Sequence, residues 1–122
     1  MNQTIDNVIN SKKTAIKEGR WKEFNKHAVM IAVGCYVHDR KHGPWKEYYD
    51  TGEIMLEENY EYGVCHGRYT AYYPNGRLAS EGVYVNGSRE GYFKIYDESG
   101  KHCKSLLFVN NNLVEEVKLP IL

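Results

Sequence analysis

The chain has 122 residues, and its sixteen basic and sixteen acidic side chains cancel to a net charge of zero. This balance leaves no overall positive field to attract nucleic acid, and no apolar run approaches the roughly 20 residues of a transmembrane helix. Three irregularly spaced cysteines and an N-terminus without an apolar signal core predict a cytoplasmic protein with reduced thiols. Eleven tyrosines and eleven glycines favour strands joined by tight turns.

The N-terminal segment, residues 1–18, is predicted to be a capping segment with a short helix. A helix over residues 4–16, with Thr4 as its N-cap, would place four apolar side chains on one side: Ile5, Val8, Ile9 and Ile16. The strand that follows at 29–37 is apolar on both faces, so we expect the helix to cover part of it. A dimer interface through this first unit is the rival explanation.

A 24-residue repeat then fills residues 19–114 in four copies, which are 19–42, 43–66, 67–90 and 91–114. Each copy opens on a glycine, has an aromatic residue two positions later, and closes on another aromatic. The opening glycines are Gly19, Gly43, Gly67 and Gly91, and the aromatics after them are Trp21, Trp45, Tyr69 and Phe93. Recurrence at one fixed period is typical of repeat proteins.

Each copy also supplies its own hairpin turn. In the third copy, Tyr73-Pro74-Asn75-Gly76 suits a type I turn, because proline presets φ and glycine accepts the left-handed position that follows. The first copy departs from this pattern, since residues 25–28 (NKHA) lack the glycine. Two strands and two turns per copy predict an all-β, single-layer twisted antiparallel sheet of about eight strands, with a cap strand or tail at 115–122.

Alternation along the strands sorts the side chains onto two faces of this sheet. A three-residue loop at 74–76 places Tyr72 opposite Leu78, and we expect Tyr84 on the same face. The opposite face is then expected to carry Tyr69, Tyr73, Arg77 and Glu81, and in the second copy Trp45, Tyr49, Glu53 and Glu57. We interpret the first face as the apolar stripe that stabilises the sheet, and the second as the surface available for recognition.

The phrase GPWKEYYDTG at 43–52, echoed by GRYTAYYPNG and GYFKIYDESG, resembles the MORN (membrane occupation and recognition nexus) repeat. The tails LEENYEYG and ASEGVYVNG resemble the bacterial variant of that repeat. The resemblance covers about residues 19–112 and implies a single-layer sheet used for protein contacts, and in some accounts for lipid binding. Small bacterial members are commonly labelled antitoxins of toxin–antitoxin pairs, which implies neutralisation of a partner by covering its working surface.

Metal binding and catalysis find little support in the residues. Cys35, His38 and His42 come closest to a ligand spacing, but no fourth ligand is evident. His42 and His66 occupy equivalent positions two strands apart, about 9.5 Å, too far to share a zinc ion. We interpret the histidines as turn or surface residues. With no nucleophile elbow or phosphate loop either, we expect no metal, no cofactor and no enzymatic activity.

The charge of individual copies points to a binding surface. Residues 19–42 hold five basic and two acidic side chains, whereas 43–66 hold one basic and six acidic. We expect a protein partner with a basic surface to bind an acidic, aromatic patch. The predicted contact residues are Trp45, Tyr49, Glu53, Glu57, Glu61, Tyr69 and Tyr73.

Two alternatives to this binding module remain open from the sequence. A membrane-surface module would need a basic cluster, and the nearest one is near the N-terminus: Lys12, Lys13, Lys17, Arg20 and Lys22. A structural array would instead self-assemble, forming a homodimer through the first repeat or through a free edge of the sheet.

Overall fold

The computed structural model describes residues 16–120, and this part of the chain contains strands and turns but no helix. All of its strands belong to one open antiparallel sheet, which confirms the predicted all-β, single-layer array. The helix predicted at 4–16 lies, apart from Ile16, outside the described residues.

Nine strands follow one another across the sheet in chain order, and two short strands flank β2 and β5. The strands are β1 (Gly19–Phe24), β2 (Met30–Val37), β3 (Arg40–Lys41), β4 (Gly43–Tyr48), β5 (Ile54–Glu61), β6 (Val64–Cys65), β7 (Gly67–Tyr72), β8 (Leu78–Val85), β9 (Ser88–Tyr96), β10 (His102–Val109) and β11 (Asn112–Lys118). The count of eleven exceeds the eight expected because the linker between copies pairs briefly with the preceding strand, and because β11 adds one more strand at the C-terminal edge.

A β-bulge occurs in every hairpin, and it reverses the face assignment made from the sequence. Tyr72 pairs with Leu78 as predicted, but Ala71 pairs with Ser80, so Ala79 is left between them. An extra residue on one strand switches every later side chain to the other face. Tyr84 therefore shares a face with Tyr69, and the prediction that it lies with Tyr72 is wrong. The same register shift leaves Ile31, Met55 and Cys103 unpaired in the other copies.

The two faces of the sheet differ in chemistry. One face, which we call the aromatic face, carries the first and last ring of every copy: Trp21, Tyr36, Trp45, Tyr60, Tyr69, Tyr84, Phe93 and Phe108. The other, which we call the polar face, carries a row of paired residues that crosses the sheet: Lys22, Val33, Lys46, Glu57, Thr70, Glu81, Lys94, Ser105 and Val117.

The buried core lies on the aromatic face. Its most buried side chain, Trp45, is 3% exposed and lies flat against Gly34, where an added Cβ would come within 2.2 Å of the indole ring. Phe93 lies on Gly82 in the same way, with a corresponding separation of 2.5 Å. Tyr36 then packs edge-on against Trp45, with ring centroids 5.2 Å apart. Because glycine has no side chain, the aromatic ring of the following copy can pack directly on the strand and become buried.

Linkers between copies are held by one repeated hydrogen bond. The residue at each linker's left-handed position donates its backbone N–H to a side chain 20 residues earlier. Two acceptors are imidazole Nδ1 atoms, those of His42 (from Tyr62) and His66 (from Asn86), both at 3.1 Å. The other two acceptors are carboxylates, those of Glu18 (from His38) and Glu90 (from Asn110).

Candidate partner-binding surface

The structure separates the residues predicted to bind a partner into three groups. Trp45 and Tyr69 lie on the aromatic face, because the bulge puts them with the closing rings of their copies. Glu57 and Glu61 lie on the polar face. The remaining three lie at the hairpin turns that form one end of the sheet: Tyr49, Glu53 and Tyr73. The single acidic and aromatic face expected from the sequence is therefore wrong.

Trp45 is a structural residue of the aromatic face. Its indole N–H donates to the backbone oxygen of Cys35 at 2.9 Å, and the ammonium of Lys41 lies 4.6 Å from the ring centroid. With both polar and apolar parts satisfied inside the sheet, it has no surface left for a partner. Tyr69 is half-buried and contacts the rings of Tyr84 and Phe93, at centroid distances of 5.8 and 5.9 Å.

Tyr49 and Tyr73 connect consecutive copies at the hairpin turns. Their hydroxyls donate to the backbone oxygens of Tyr72 and Tyr96 respectively, each at 2.5 Å and 23 residues along the chain. The equivalent position of the last copy is Asp97, whose carboxylate instead accepts bonds within its own turn. The hydrogen bond from the Ser99 hydroxyl and then that from the Lys101 backbone lower the pKa of Asp97.

A pair of carboxylates stands at the centre of the polar face. Glu57 and Glu81 both pair with Thr70, one from each side, so they lie two strands apart, about 9.5 Å. The Tyr72 hydroxyl donates to Glu57 at 2.8 Å, and the Tyr96 hydroxyl donates to Glu81 at 2.6 Å. Because each carboxylate is held by a tyrosine of the following copy, the two are fixed in position on a partly exposed surface.

The cause of the raised tyrosine pKa values differs between these two pairs. For Tyr72, burial raises the pKa most and the Glu57 carboxylate adds to it. For Tyr96, the hydrogen bond to Glu81 is the largest cause of the raised pKa. Both phenols therefore stay protonated at neutral pH and remain donors to the carboxylates.

Exposed apolar side chains adjoin the carboxylate pair on the polar face. Val83 and Val85 are each 42% exposed and Tyr92 is 52% exposed. A shallow depression of about 200 Å³ lies among Arg68, Glu81, Val83, Tyr92 and Lys94. Apolar surface of this kind, rimmed by charges, is typical of protein-contact sites.

The basic cluster predicted near the N-terminus is divided between the faces. Arg20 and Lys22 lie on the polar face, where they line a depression of about 350 Å³ together with Lys46. The ammonium of Lys17 lies instead on the aromatic face, 5.0 Å from the ring centroids of both Trp21 and Tyr36. Lys12 and Lys13 lie outside the described residues.

Two recurring features of the aromatic face were missed in the sequence. A cation lies over the rings in three copies, and these cations are Lys17, Lys41 and Arg89. Their signal was a basic residue two positions before the opening glycine. The second feature is the pair Gly34 and Gly82, which are separated by two repeat lengths and receive the buried rings.

The histidines weighed for metal binding make contacts at the turns. His42 accepts a linker bond, and His38 contacts the Glu18 carboxylate at 3.2 Å. Within residues 16–120, no group of three or more histidine, cysteine or acidic side chains is arranged to hold a metal ion. The same part of the chain has no helix of the length and hydropathy that crossing a membrane requires.

A tandem array of bulged hairpins with two accessible faces defines the class of open repeat sheets. The profile of the MORN repeat variant matches residues 41–62, 66–86 and 89–110, more than half of the chain, so this protein belongs to that family. Such repeats are generally protein- or membrane-binding modules and typically non-catalytic. No curated protein matches the chain. Residues 19–40 of the first copy lie outside the match, yet β1 and β2 share the bulged register of the later hairpins.

Proposed function

We propose that this protein is a non-catalytic module that binds a protein partner through the polar face, with Glu57 and Glu81 contacting basic side chains of the partner. The observation that carries the proposal is the pair of carboxylates held by the Tyr72 and Tyr96 hydroxyls. Charges held in place before binding lose little side-chain entropy on contact, and they accelerate association with a basic surface.

The neighbouring residues complete this surface. Glu61 lies on the same strand and face as Glu57 and extends the acidic area. Val83 and Tyr92 provide apolar area that a partner can cover. Glu53, in a hairpin turn, lies at the rim of the surface, whereas Trp45 and Tyr69 belong to the opposite face.

An antitoxin role would follow if the partner is a toxin whose working surface is basic. A sheet of this kind would neutralise it by covering that surface, without any chemistry of its own. We also propose a cytoplasmic location, which would keep the three free thiols reduced: Cys35, Cys65 and Cys103.

The proposal is tested by capture of partners from the source cells on immobilised full-length protein. The double variant Glu57→Gln/Glu81→Gln keeps the shape of both side chains and still accepts the tyrosine bonds, but it removes both charges. The matched control, Glu23→Gln/Glu47→Gln, removes two charges from the opposite face.

We expect the double variant to lose the partner and the control to retain it, with the loss increasing at low salt. Equal recovery on both variants would refute the polar-face site. The antitoxin role predicts that the captured partner, expressed alone, arrests growth and that co-expression of this protein relieves the arrest. A partner that does not affect growth when expressed alone would refute the antitoxin role.

A further inference from the structure

Three of the four copies hold a cation over their own rings on the aromatic face. The residue two positions before the opening glycine provides it each time. Lys41 lies 4.6 Å from the Trp45 ring centroid and 5.2 Å from that of Tyr60, and Arg89 lies 4.3 Å from the Phe108 centroid. A cation at this distance from a ring face is attracted by the quadrupole of the ring.

The third copy has the rings without the cation. The residue two positions before its opening glycine is Cys65, and among residues 16–120 no lysine or arginine lies over the ring of Tyr69 or Tyr84. These two rings meet edge-on, with centroids 5.8 Å apart, and both are half-buried. Arg89 pairs with Tyr84 across the strands, but its guanidinium lies over Phe108 and donates to Asn111 at 2.7 Å.

A carboxylate stands beside this vacant position. Glu58 occupies the row position that is Gly34 in the first copy and Gly82 in the third, so it projects from the aromatic face. It accepts the Tyr60 hydroxyl at 2.9 Å and lies 4.0 Å from the Cys65 thiol. Within the described residues it forms no ion pair closer than 4 Å.

The charge of Glu58 is felt by its neighbours in this cluster. Burial first, and then the Glu58 carboxylate, raise the pKa of the Cys65 thiol, which therefore stays neutral. Burial and Glu58 likewise raise the pKa of Tyr60. The charge of Lys41 acts against this rise in the pKa of Cys65, but its ammonium is held over the rings of Trp45 and Tyr60.

We propose that Glu58, Tyr69 and Tyr84 form a recognition site for one basic side chain, arginine or lysine, of a peptide or protein. The bound cation would take the position that Lys17, Lys41 and Arg89 take over the rings of the first, second and fourth copies, and it would pair with Glu58. The site lies on the opposite face from Glu57 and Glu81, so it goes beyond the binding function proposed above and does not depend on it.

The test uses the full chain, labelled with ¹⁵N, and the peptide acetyl-Gly-Arg-Gly-amide as the probe. The matched neutral peptide contains citrulline, which has nearly the same shape without the charge. We expect saturable shifts of the amides around Glu58, Cys65 and Tyr84 with the arginine peptide, and a dissociation constant on the order of 10 mM. Equal shifts with the citrulline peptide would overturn the proposal.

Variants of the chain locate the site. Cys65→Lys restores the residue type of the other copies, so its ammonium should fill the position and weaken peptide binding about tenfold, whereas Cys65→Ser should bind as the parent does. Glu58→Gln should also weaken binding, by about fivefold or more. The control variant Glu98→Gln, which removes an exposed charge at the turn of the last hairpin, should bind the peptide unchanged.

Unchanged binding by Cys65→Lys would overturn the assignment, and so would an equal loss in the control Glu98→Gln. An unfolding midpoint measured on each variant shows that it is folded. We expect Cys65→Lys to be at least as stable as the parent, because the added cation has rings and a carboxylate to contact.

Discussion

Replacing Gly34 by alanine tests how the aromatic face is packed. The backbone of Gly34 has no positive φ, so alanine meets no conformational strain there. Its Cβ would lie 2.2 Å from the Trp45 ring, against the 3.4 Å at which ordinary contact begins, so the ring must move by roughly 1.2 Å. Overpacking of this kind costs about 1–3 kcal/mol, and loss of the Trp45 bond to Cys35 adds about 1 kcal/mol.

We therefore expect Gly34→Ala to lower the free energy of unfolding by about 3 kcal/mol, which corresponds to roughly 12 °C in Tm. Urea unfolding followed by tryptophan fluorescence measures it. Gly43→Ala is the matched control, because its φ of +85° is strained for alanine but nothing lies within 4 Å of the added Cβ. That control should lose only about 1 kcal/mol. A Gly34→Ala chain as stable as the parent, or more stable than Gly43→Ala, would contradict the close packing of Trp45 on Gly34.

Three further predictions concern hydroxyls and carboxylates. Tyr49→Phe and Tyr73→Phe each remove a hydrogen bond between copies, so each should lower the free energy of unfolding in urea by about 1 kcal/mol. An unchanged free energy of unfolding in both variants would contradict the bridging role. Burial and Glu58 raise the pKa of Tyr60, so the folded chain keeps a phenol proton that the unfolded chain loses near pH 10. The free energy of unfolding should therefore fall as pH rises above about 10, and it should fall less steeply in Tyr60→Phe. Hydrogen bonds within its turn lower the pKa of Asp97, so the stabilisation that they give is present above about pH 4 and is lost on further acidification. Hydrogen exchange of the Ser99 amide should become faster over that pH range, and unchanged exchange would contradict the prediction.

The repeat was predictable because its period is carried by residues with few substitutes. An opening glycine and an aromatic two residues after it mark every copy, and glycine occupies the left-handed hairpin position in all but the first, where Ala28 takes it. Those signals place the hairpins and the pairing of Tyr72 with Leu78 correctly.

The faces could not be predicted, since the bulge position has no recognisable residue. It holds Ile31, Met55, Ala79 and Cys103 in the four copies, which share no property that would mark an unpaired position. One extra residue reverses the alternation beyond it, so an argument from period two fails for every residue after the bulge.

The candidate sites were partly predictable for the same reason. Glu57 and Glu61 are correctly read as neighbours on one face, because both follow the bulge on the same strand. Trp45 was misplaced, and its burial depends on Gly34, a residue of another copy. The proposed site at Glu58 and Cys65 could not be predicted from the sequence, because it depends on which face each residue occupies and on comparison with the equivalent positions of the other folded copies.

We propose that a protein partner covers the polar face at Glu57 and Glu81. Carbodiimide labelling of carboxyl groups, read by mass spectrometry on the free protein and on its complex with the captured partner, measures this coverage residue by residue. We predict that labelling of Glu57, Glu61 and Glu81 falls in the complex, while Glu23 and Glu47 on the aromatic face are labelled as in the free protein. Protection of Glu23 and Glu47 with unchanged labelling of Glu57 and Glu81 would contradict the account.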